Sequence, residues 1–411
     1  MSNTARGGPP GRANATAIQP ARHQGLARQT PLAQTGGMTA WKLPRRRFIR
    51  AVALGAALLL TTAIHVGLLA STLDQALSDA RARVRENIAP KAPGVAVALS
   101  HDGKLIWSEG FGYADLEAKI PVTPKTLFRI GSISKPLTAA GLMLLVEQGR
   151  IDLDADIHQY VPDYPDKGER ITTRELAGHL AGIRHYRGNE VYLNRQFASV
   201  RDGLVIFQND PLLFPPGTKF SYSSYGWNLI SRIMEIGANQ DFLAYMQASV
   251  FKPLELQNTV PDYADRELPV RTRFYEAKPG GGFAPAPPVN NSYKWAGGGF
   301  LSTPEDLVHF ASALLRPGFL QRESLAALFT SQKTADGKLT GYGIGWYVHR
   351  DPRGHRLVMH SGGSIGGTSV LILDLNTRTA LAMAANCTAS PFNKTNLDAI
   401  TAEFCDLFST P

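Results

Sequence analysis

Residues 128–137 read FRIGSISKPL, and the reading of Ser132, Ser134 and Lys135 in this stretch decides the fold. A serine hydroxyl is a poor nucleophile at neutral pH and needs a base within hydrogen-bond reach. On a helix, positions i and i+3 share a face, whereas i and i+1 do not. Ser132 and Lys135 therefore meet across one turn, while Ser134 points about 100° away from Lys135. Pro136 fits the first turn of such a helix, where its missing N–H breaks no bond, so the helix starts just before it. Ser132 then falls at the helix N-terminus, where free backbone N–H groups favour developing negative charge. The downstream LTAAGLMLLVEQG is apolar enough to bury the helix, and burial would lower the lysine pKa and make it a usable base.

Alone, S-x-x-K is a short motif that a chain of 411 residues holds roughly once by chance. Two further stretches give it company. FSYSSYGWNLI, from Phe220, offers Tyr222 two residues before Ser224, after a Pro-Gly loop. HSGGSIGG offers His360, Ser361, Gly362 and Gly363 at the start of an expected strand. A tyrosine can hold or relay a proton. A strand edge with little side-chain bulk lets a substrate backbone approach and pair along it, and it can supply one oxyanion N–H.

In that chain order, Ser132–Lys135, Tyr222–Ser224 and His360–Gly362 resemble the S-x-x-K, Y-x-N and K-T-G elements of the serine β-lactamase and penicillin-binding superfamily. HLAGIRHY (179–186), NDPLLFPPGTKFSYSSYG (209–226) and NNSYKWAGGGFLST (290–303) are most similar to one class C-related branch, the mitochondrial serine β-lactamase-like proteins and their bacterial relatives. The resemblance spans about residues 80–411. It implies an α+β, β-lactamase/transpeptidase-like fold, with an antiparallel sheet flanked by helices and an inserted, mainly helical lobe. It also implies a serine acyl-enzyme in which Ser132, Lys135 and Tyr222 are catalytic. The backbone N–H groups of Ser132 and Gly363 would form the oxyanion hole, with His360, Ser361, Gly362 and Ser224 on the substrate side. No metal or organic cofactor is implied. Mitochondrial members of the branch are associated with filaments, so a homo-oligomer or a non-catalytic scaffold is the alternative from another class.

Two departures from the pattern bear on specificity. Ser224 stands where Y-x-N has asparagine, so the amide that would contact a substrate acyl-amide is lost. His360 stands where K-T-G has lysine, and a histidine is mostly neutral near pH 7. Both changes weaken antibiotic recognition and leave the acyl-transfer machinery complete. The expected activity is that of a peptidase on peptide or other amide and ester substrates. A D-alanyl peptidase, an esterase and a weak β-lactamase are the nearby alternatives.

The formal net charge of +9 does not point to nucleic acid. Residues 1–50 hold nine Arg or Lys and no acid, leaving 34 basic against 34 acidic residues in the rest. Basicity is thus a property of the tail, and its Gly, Ala, Pro, Gln and Thr content reads as a disordered segment over 1–50. Arg45, Arg46, Arg47 and Arg50 lead into an uncharged run from Ala51 to Leu73. A positive region followed by roughly 20 apolar residues reads as a signal sequence or transmembrane anchor over 51–73. PRRRFIR also resembles a twin-arginine export signal. The expected location is a bacterial inner membrane facing the periplasm, or the periplasm after export, with a mitochondrial location as the alternative. The hydrolase domain is expected over 80–411.

Along that domain, Leu73, Leu77, Ala80, Val84 and Ile88 recur at helical spacing. GVAVALSHDGKLIWSEGFGYAD reads as a hairpin turning at Asp102-Gly103. Thr303 caps a helix with Pro304 in its first position, and Asp306 would complete a capping box. Strands then return as GYGIGWYV, HRLVMHSGG, SVLILDL and TALAMAANC, before a final helix from about Lys394 to Leu407. Other candidates carry less. There is no H-E-x-x-H, so a zincin is unsupported. His179 and His185 could line the site, although packing or capping fits them better. Lys294 reads as a solvated or snorkelling side chain. Cys387 and Cys405 are too few for a disulfide framework.

Overall fold

Both ends of the segment over 80–411 contribute to one sheet. A computed structural model describes residues 72–392 and 394–409. The expected basic segment over 1–50 lies outside the described residues, as does all but the end of the expected anchor over 51–73. Among the described residues, no helix is long and apolar enough to cross a membrane.

Twelve strands run in chain order: β1 (Gly94–His101), β2 (Lys104–Asp115), β3 (Ile120–Pro121), β4 (Phe128–Arg129), β5 (Val260–Pro261), β6 (Tyr275–Ala277), β7 (Phe283–Pro285), β8 (Phe300–Ser302), β9 (Tyr347–Arg350), β10 (Arg356–Ser364), β11 (Gly367–Asp374) and β12 (Thr379–Ala385). Seven of them form an antiparallel sheet in the order β3-β2-β1-β12-β11-β10-β9. The β1–β2 hairpin turns at Asp102 and Gly103, whose φ values of 47° and 78° suit a two-residue primed turn.

Strands β1, β11 and β12 are buried on both faces, which is why they read as continuous apolar runs without alternation. Their alternate residues nonetheless serve different cores. Val370 and Ile372 pack with Ala80, Val84 and Ile88 of the helical segment over 72–88 and with Ile400 and Phe404 of the helix Lys394–Ser409. Leu371 and Leu373 face the opposite way, toward the helix Pro304–Leu314 and the helical lobe. The fold is the expected antiparallel sheet flanked by helices, with the lobe inserted between its two strand-rich ends.

A second, three-stranded sheet, β4-β8-β5, carries the site. Phe128 and Arg129 pair with Ser302 and Leu301, tying the segment before Ser132 to the end of the WAGGGFLS stretch. Beneath them, Arg129 Nε donates to Asp262 Oδ2 at 2.6 Å, and Asn291 Nδ2 donates to the same oxygen at 2.6 Å. All three side chains are buried.

Two local expectations change. The Thr303 hydroxyl accepts from Asp306 N–H at 3.1 Å, but the Asp306 carboxylate does not return to the cap. It accepts instead from Asn258 N–H at 2.8 Å and Thr259 Oγ1 at 3.0 Å, pinning the strand-side loop to the helix. In GYGIGWYV only the end is strand. Gly341 and Gly345 sit at φ 72° and 77°, so the chain turns there before β9 begins at Tyr347.

Candidate active site

Ser132 lies in a single 3-10 turn, Gly131–Ile133, immediately before the helix Ser134–Glu147. Lys135, in the first turn of that helix, turns back under it. Its Nζ lies within hydrogen-bond distance of Ser132 Oγ at 3.0 Å, Ser224 Oγ at 3.0 Å and the Gly297 carbonyl at 2.7 Å. The side chain has no solvent exposure, and it is burial first, then the nearby Lys294 charge, that drives its pKa well below the ordinary lysine value. Ser134 goes elsewhere: its hydroxyl accepts from Phe300 N–H at 3.3 Å, deep in the core.

Tyr222 precedes the helix Ser224–Ala238, and its loop is strapped to the HLAGIRHY segment by backbone bonds. Ser221 N–H donates to His179 O at 2.9 Å, Gly217 N–H to Leu180 O at 2.9 Å and Leu213 N–H to Gly182 O at 2.8 Å. The Tyr222 ring lies 4.8 Å from Lys135 Nζ, which itself contacts the Ser132 and Ser224 hydroxyls. Burial raises the phenol pKa far above its ordinary value, so Tyr222 is neutral here. Ser132, Lys135, Tyr222 and Ser224 thus form one connected set.

The two histidines of HLAGIRHY do cap, and they do so side by side. His179 Nδ1 accepts from Ser223 N–H at 3.1 Å, and His185 Nδ1 accepts from Ser224 N–H at 3.1 Å. Ser223 itself is the N-cap, its hydroxyl accepting from Gly226 N–H at 3.1 Å. His179 is buried, has φ 62°, a conformation uncommon for histidine, and packs its ring 4.3 Å from that of Tyr222. Burial, with the Lys135 charge next, holds both imidazoles neutral, His185 with its pKa pushed down to about 4.

Strand β10 closes the other side. An added Cβ on Gly362 would lie 1.9 Å from the Ile130 carbonyl oxygen, and one on Gly131, at φ 48°, would lie 2.6 Å from Gly363 N. The strand and the Ile130–Gly131 segment are therefore flush, which only glycine permits. Gly363 has open space above its Cα, and Ser361 and Gly363 are exposed. His360 is not. It is 1% exposed, and its Nδ1–H donates to the Ser361 carbonyl at 2.7 Å, leaving Nε2 to accept from Tyr342 OH at 2.9 Å. Burial pushes its pKa down to about 3. The placement makes His360 a neutral support beneath the strand, with Ser361 and Gly363 at its surface.

Lys294 corrects its sequence reading. It is 4% exposed, with Nζ over the rings of Tyr293 at 5.3 Å and Tyr186 at 5.5 Å. Burial, with Arg129 adding to it, pushes its pKa down to about 7. Periodicity gave no signal for this. The aromatic neighbours Tyr293 and Trp295 were the available hint.

Away from the cleft, His355, Asp374 and Cys405 bring potential ligand atoms within 4.8 Å of one another. Asp374 already accepts from His355 Nδ1 at 2.7 Å and from Asn376 N–H at 2.7 Å, so the group reads as the cap of the β11–β12 turn. Cys387 and Cys405 are free and buried.

The family model described as Beta-lactamase matches residues 69–403. The chain belongs to the beta-lactamase family. Over 394 residues it is 32% identical to the human serine beta-lactamase-like protein LACTB, mitochondrial, covering 72% of each chain. It is 30% identical over 281 residues to a D-aminopeptidase of Gluconobacter oxydans, covering 67% of this chain and 52% of that one. A D-stereospecific amidohydrolase from Streptomyces superposes with a TM-score of 0.69 at 21% identity, over 80% of this chain and 98% of the other, a likeness of fold. Beta-lactamase family membership places the chain among serine hydrolases.

Proposed function

We propose that this protein is a serine peptidase working through a Ser132 acyl-enzyme. The observation that carries the reading is the buried Lys135, with Nζ at 3.0 Å from Ser132 Oγ and a pKa well below the ordinary lysine value. A neutral Lys135 takes the Ser132 proton as Oγ attacks the substrate carbonyl. The developing oxyanion is held by the Ser132 and Gly363 N–H groups. Tyr222, neutral and beside Lys135 Nζ, passes a proton to the leaving amine and regains one from the Lys135 ammonium, which restores both groups before they help to activate the water that cleaves the acyl-enzyme. An amide substrate lies along the β10 edge at Ser361 and Gly363, where side chains leave room. The Gluconobacter relative, a D-aminopeptidase, supports an amide bond as the target.

The departures at Ser224 and His360 argue against efficient β-lactam turnover. Lys135 occupies Ser224 Oγ, and His360 offers no cation to an antibiotic carboxylate. A fluorophosphonate probe tests the assignment. It should label the wild type and Ser134→Ala but not Ser132→Ala. Labelling that persists in Ser132→Ala would sink the proposed nucleophile.

A further inference from the structure

The asparagine missing from Y-x-N takes its amide donor with it, and the shorter Ser224 that replaces it is 2% exposed, its Oγ accepting from Lys135 Nζ at 3.0 Å. One side chain beside Ser224 has a donor to spare. His185 Nδ1 accepts the Ser224 N–H at 3.1 Å, and that bond fixes the tautomer: the ring proton must sit on Nε2. The imidazole stays neutral, being desolvated and facing the Lys135 and Lys294 charges, so Nε2–H is a donor across the working pH range. The ring is half-buried. It is clamped by the Tyr186 ring at 4.3 Å and meets the Tyr222 ring edge-on at 5.5 Å.

No hydrogen bond to His185 Nε2 occurs among the described residues, in contrast to His360, whose ring nitrogens are both engaged. His179, the other capping histidine, is 2% exposed and cannot reach a substrate. The Tyr186 ring packs on that of His185, and Lys294 is enclosed by Tyr186 and Tyr293. His185 is thus the rigid, unengaged donor that flanks Ser224 and Tyr222.

We propose that His185 Nε2–H is the specificity-determining donor of the acyl pocket, reading the carbonyl of an amide that precedes the scissile carbonyl by one residue. The substrate class is then N-acylated amino-acid and peptidyl acyl groups, in preference to plain alkanoyl groups of the same shape. The backbone N–H of Ser224 holds the histidine in the orientation that the lost asparagine amide would have served. This inference rests on the Ser132 hydrolase reading and refines it.

The test pairs two p-nitrophenyl esters, one of an N-acetyl amino acid and one in which a methylene chain replaces the acetamido group. The wild type should favour the amide-bearing ester by about 10- to 100-fold in kcat/KM, the usual worth of one hydrogen bond read in a buried site. In His185→Phe the ratio should fall to within about threefold of one, and in His185→Gln, which keeps an N–H donor, part of it should return. A merely structural role would lower both esters together and leave the ratio intact. Fluorophosphonate labelling of Ser132 reports whether each variant still folds a working site. Should both variants fail to label, the wild-type ratio alone decides, a value near one overturning the proposal. Labelling with an unchanged ratio in His185→Phe overturns this inference and spares the hydrolase reading. No labelling and no turnover in the wild type removes both.

Discussion

Lys135 Nζ stands 3.0 Å from Ser132 Oγ while the whole lysine side chain is sealed from solvent. Both facts are needed. A solvated lysine at that distance would be charged and could only donate. Burial reverses the balance by penalising the ammonium, so the nitrogen can accept the serine proton. The Gly297 carbonyl and Ser224 hydroxyl then orient its remaining hydrogens. Lys135→Met removes the base and keeps the volume. It should cut kcat/KM on an activated ester, and the rate of fluorophosphonate labelling, by about 10³-fold. Thermal unfolding should be little changed or raised, because a buried amine is itself unfavourable. Near-normal labelling of this variant would contradict the mechanism.

The Lys294 charge bears on the same base from behind Tyr186. After burial it is the next largest force that lowers the Lys135 pKa, and its own is pushed down to about 7. Lys294→Met should therefore raise the Lys135 pKa and move the acid limb of the kcat/KM profile to higher pH. Stability gives an independent reading. The folded chain releases the Lys294 proton near pH 7, whereas the unfolded chain keeps it up to about 10.5. The unfolded state binds more protons in that window, so wild-type stability should climb with pH across it. The penalty is fully present below pH 7. Lys294→Met should show a shallower climb, Lys135 keeping its own share, and unfold several degrees higher at pH 6 to 7. Parallel stability–pH curves for the two proteins would refute this.

What the sequence made legible follows from spacing and local chemistry. The Ser132–Lys135 pair obeys helical geometry, and the β1–β2 hairpin announces itself through Asp102-Gly103. Central strands β11 and β12 were visible as apolar runs. The capping histidines were partly visible, since both lie in one short segment, but no local rule says that their nitrogens meet the first N–H groups of a helix some 40 residues on. Lys294 was misread because its burial is set by Tyr186, Tyr293 and the β4-β8-β5 sheet, all assembled from distant parts of the chain. His360 was placed on the right strand, yet which face it takes depends on the register of β10 against β11. That register pairs His360 with Leu371 and points the ring down toward Tyr342. The N-terminal anchor reading concerns residues outside those described.

Gly362 and Gly363 should behave oppositely although they are neighbours. A methyl group at Gly362 meets Ile130 O and Ser369 Oγ, at 1.9 and 2.2 Å, and neither can retreat, because Ser369 Oγ holds Ile130 O at 2.8 Å. Gly362→Ala should cost about 3 kcal/mol or more, or prevent folding. Gly363→Ala meets nothing within 4 Å. Its melting temperature should stay within about 2 °C of wild type, a surface substitution being worth about half a kcal/mol. Differential scanning fluorimetry of the two variants decides. Equal destabilisation would mean that β10 is not flush against Ile130–Gly131.

The floor of the site should fail through a single charge. Asp262 Oδ2 accepts from Arg129 Nε and from Asn291 Nδ2, each at 2.6 Å, and Asp262 is 1% exposed. Arg129 also donates to the Ile365 carbonyl at 2.7 Å and stacks 3.8 Å from the Phe274 ring, so it cannot swing out to water. Asp262→Asn keeps the shape and strands the guanidinium charge, which should cost about 3–5 kcal/mol. Because Arg129 belongs to β4, three residues before Ser132, fluorophosphonate labelling should weaken along with stability. Replacing both partners, as in Arg129→Met with Asp262→Leu, should recover part of the melting temperature, since neither member of the pair is then buried without the other. A double variant no more stable than Asp262→Asn would show that the pair is held for its hydrogen-bond geometry and not for its charge balance.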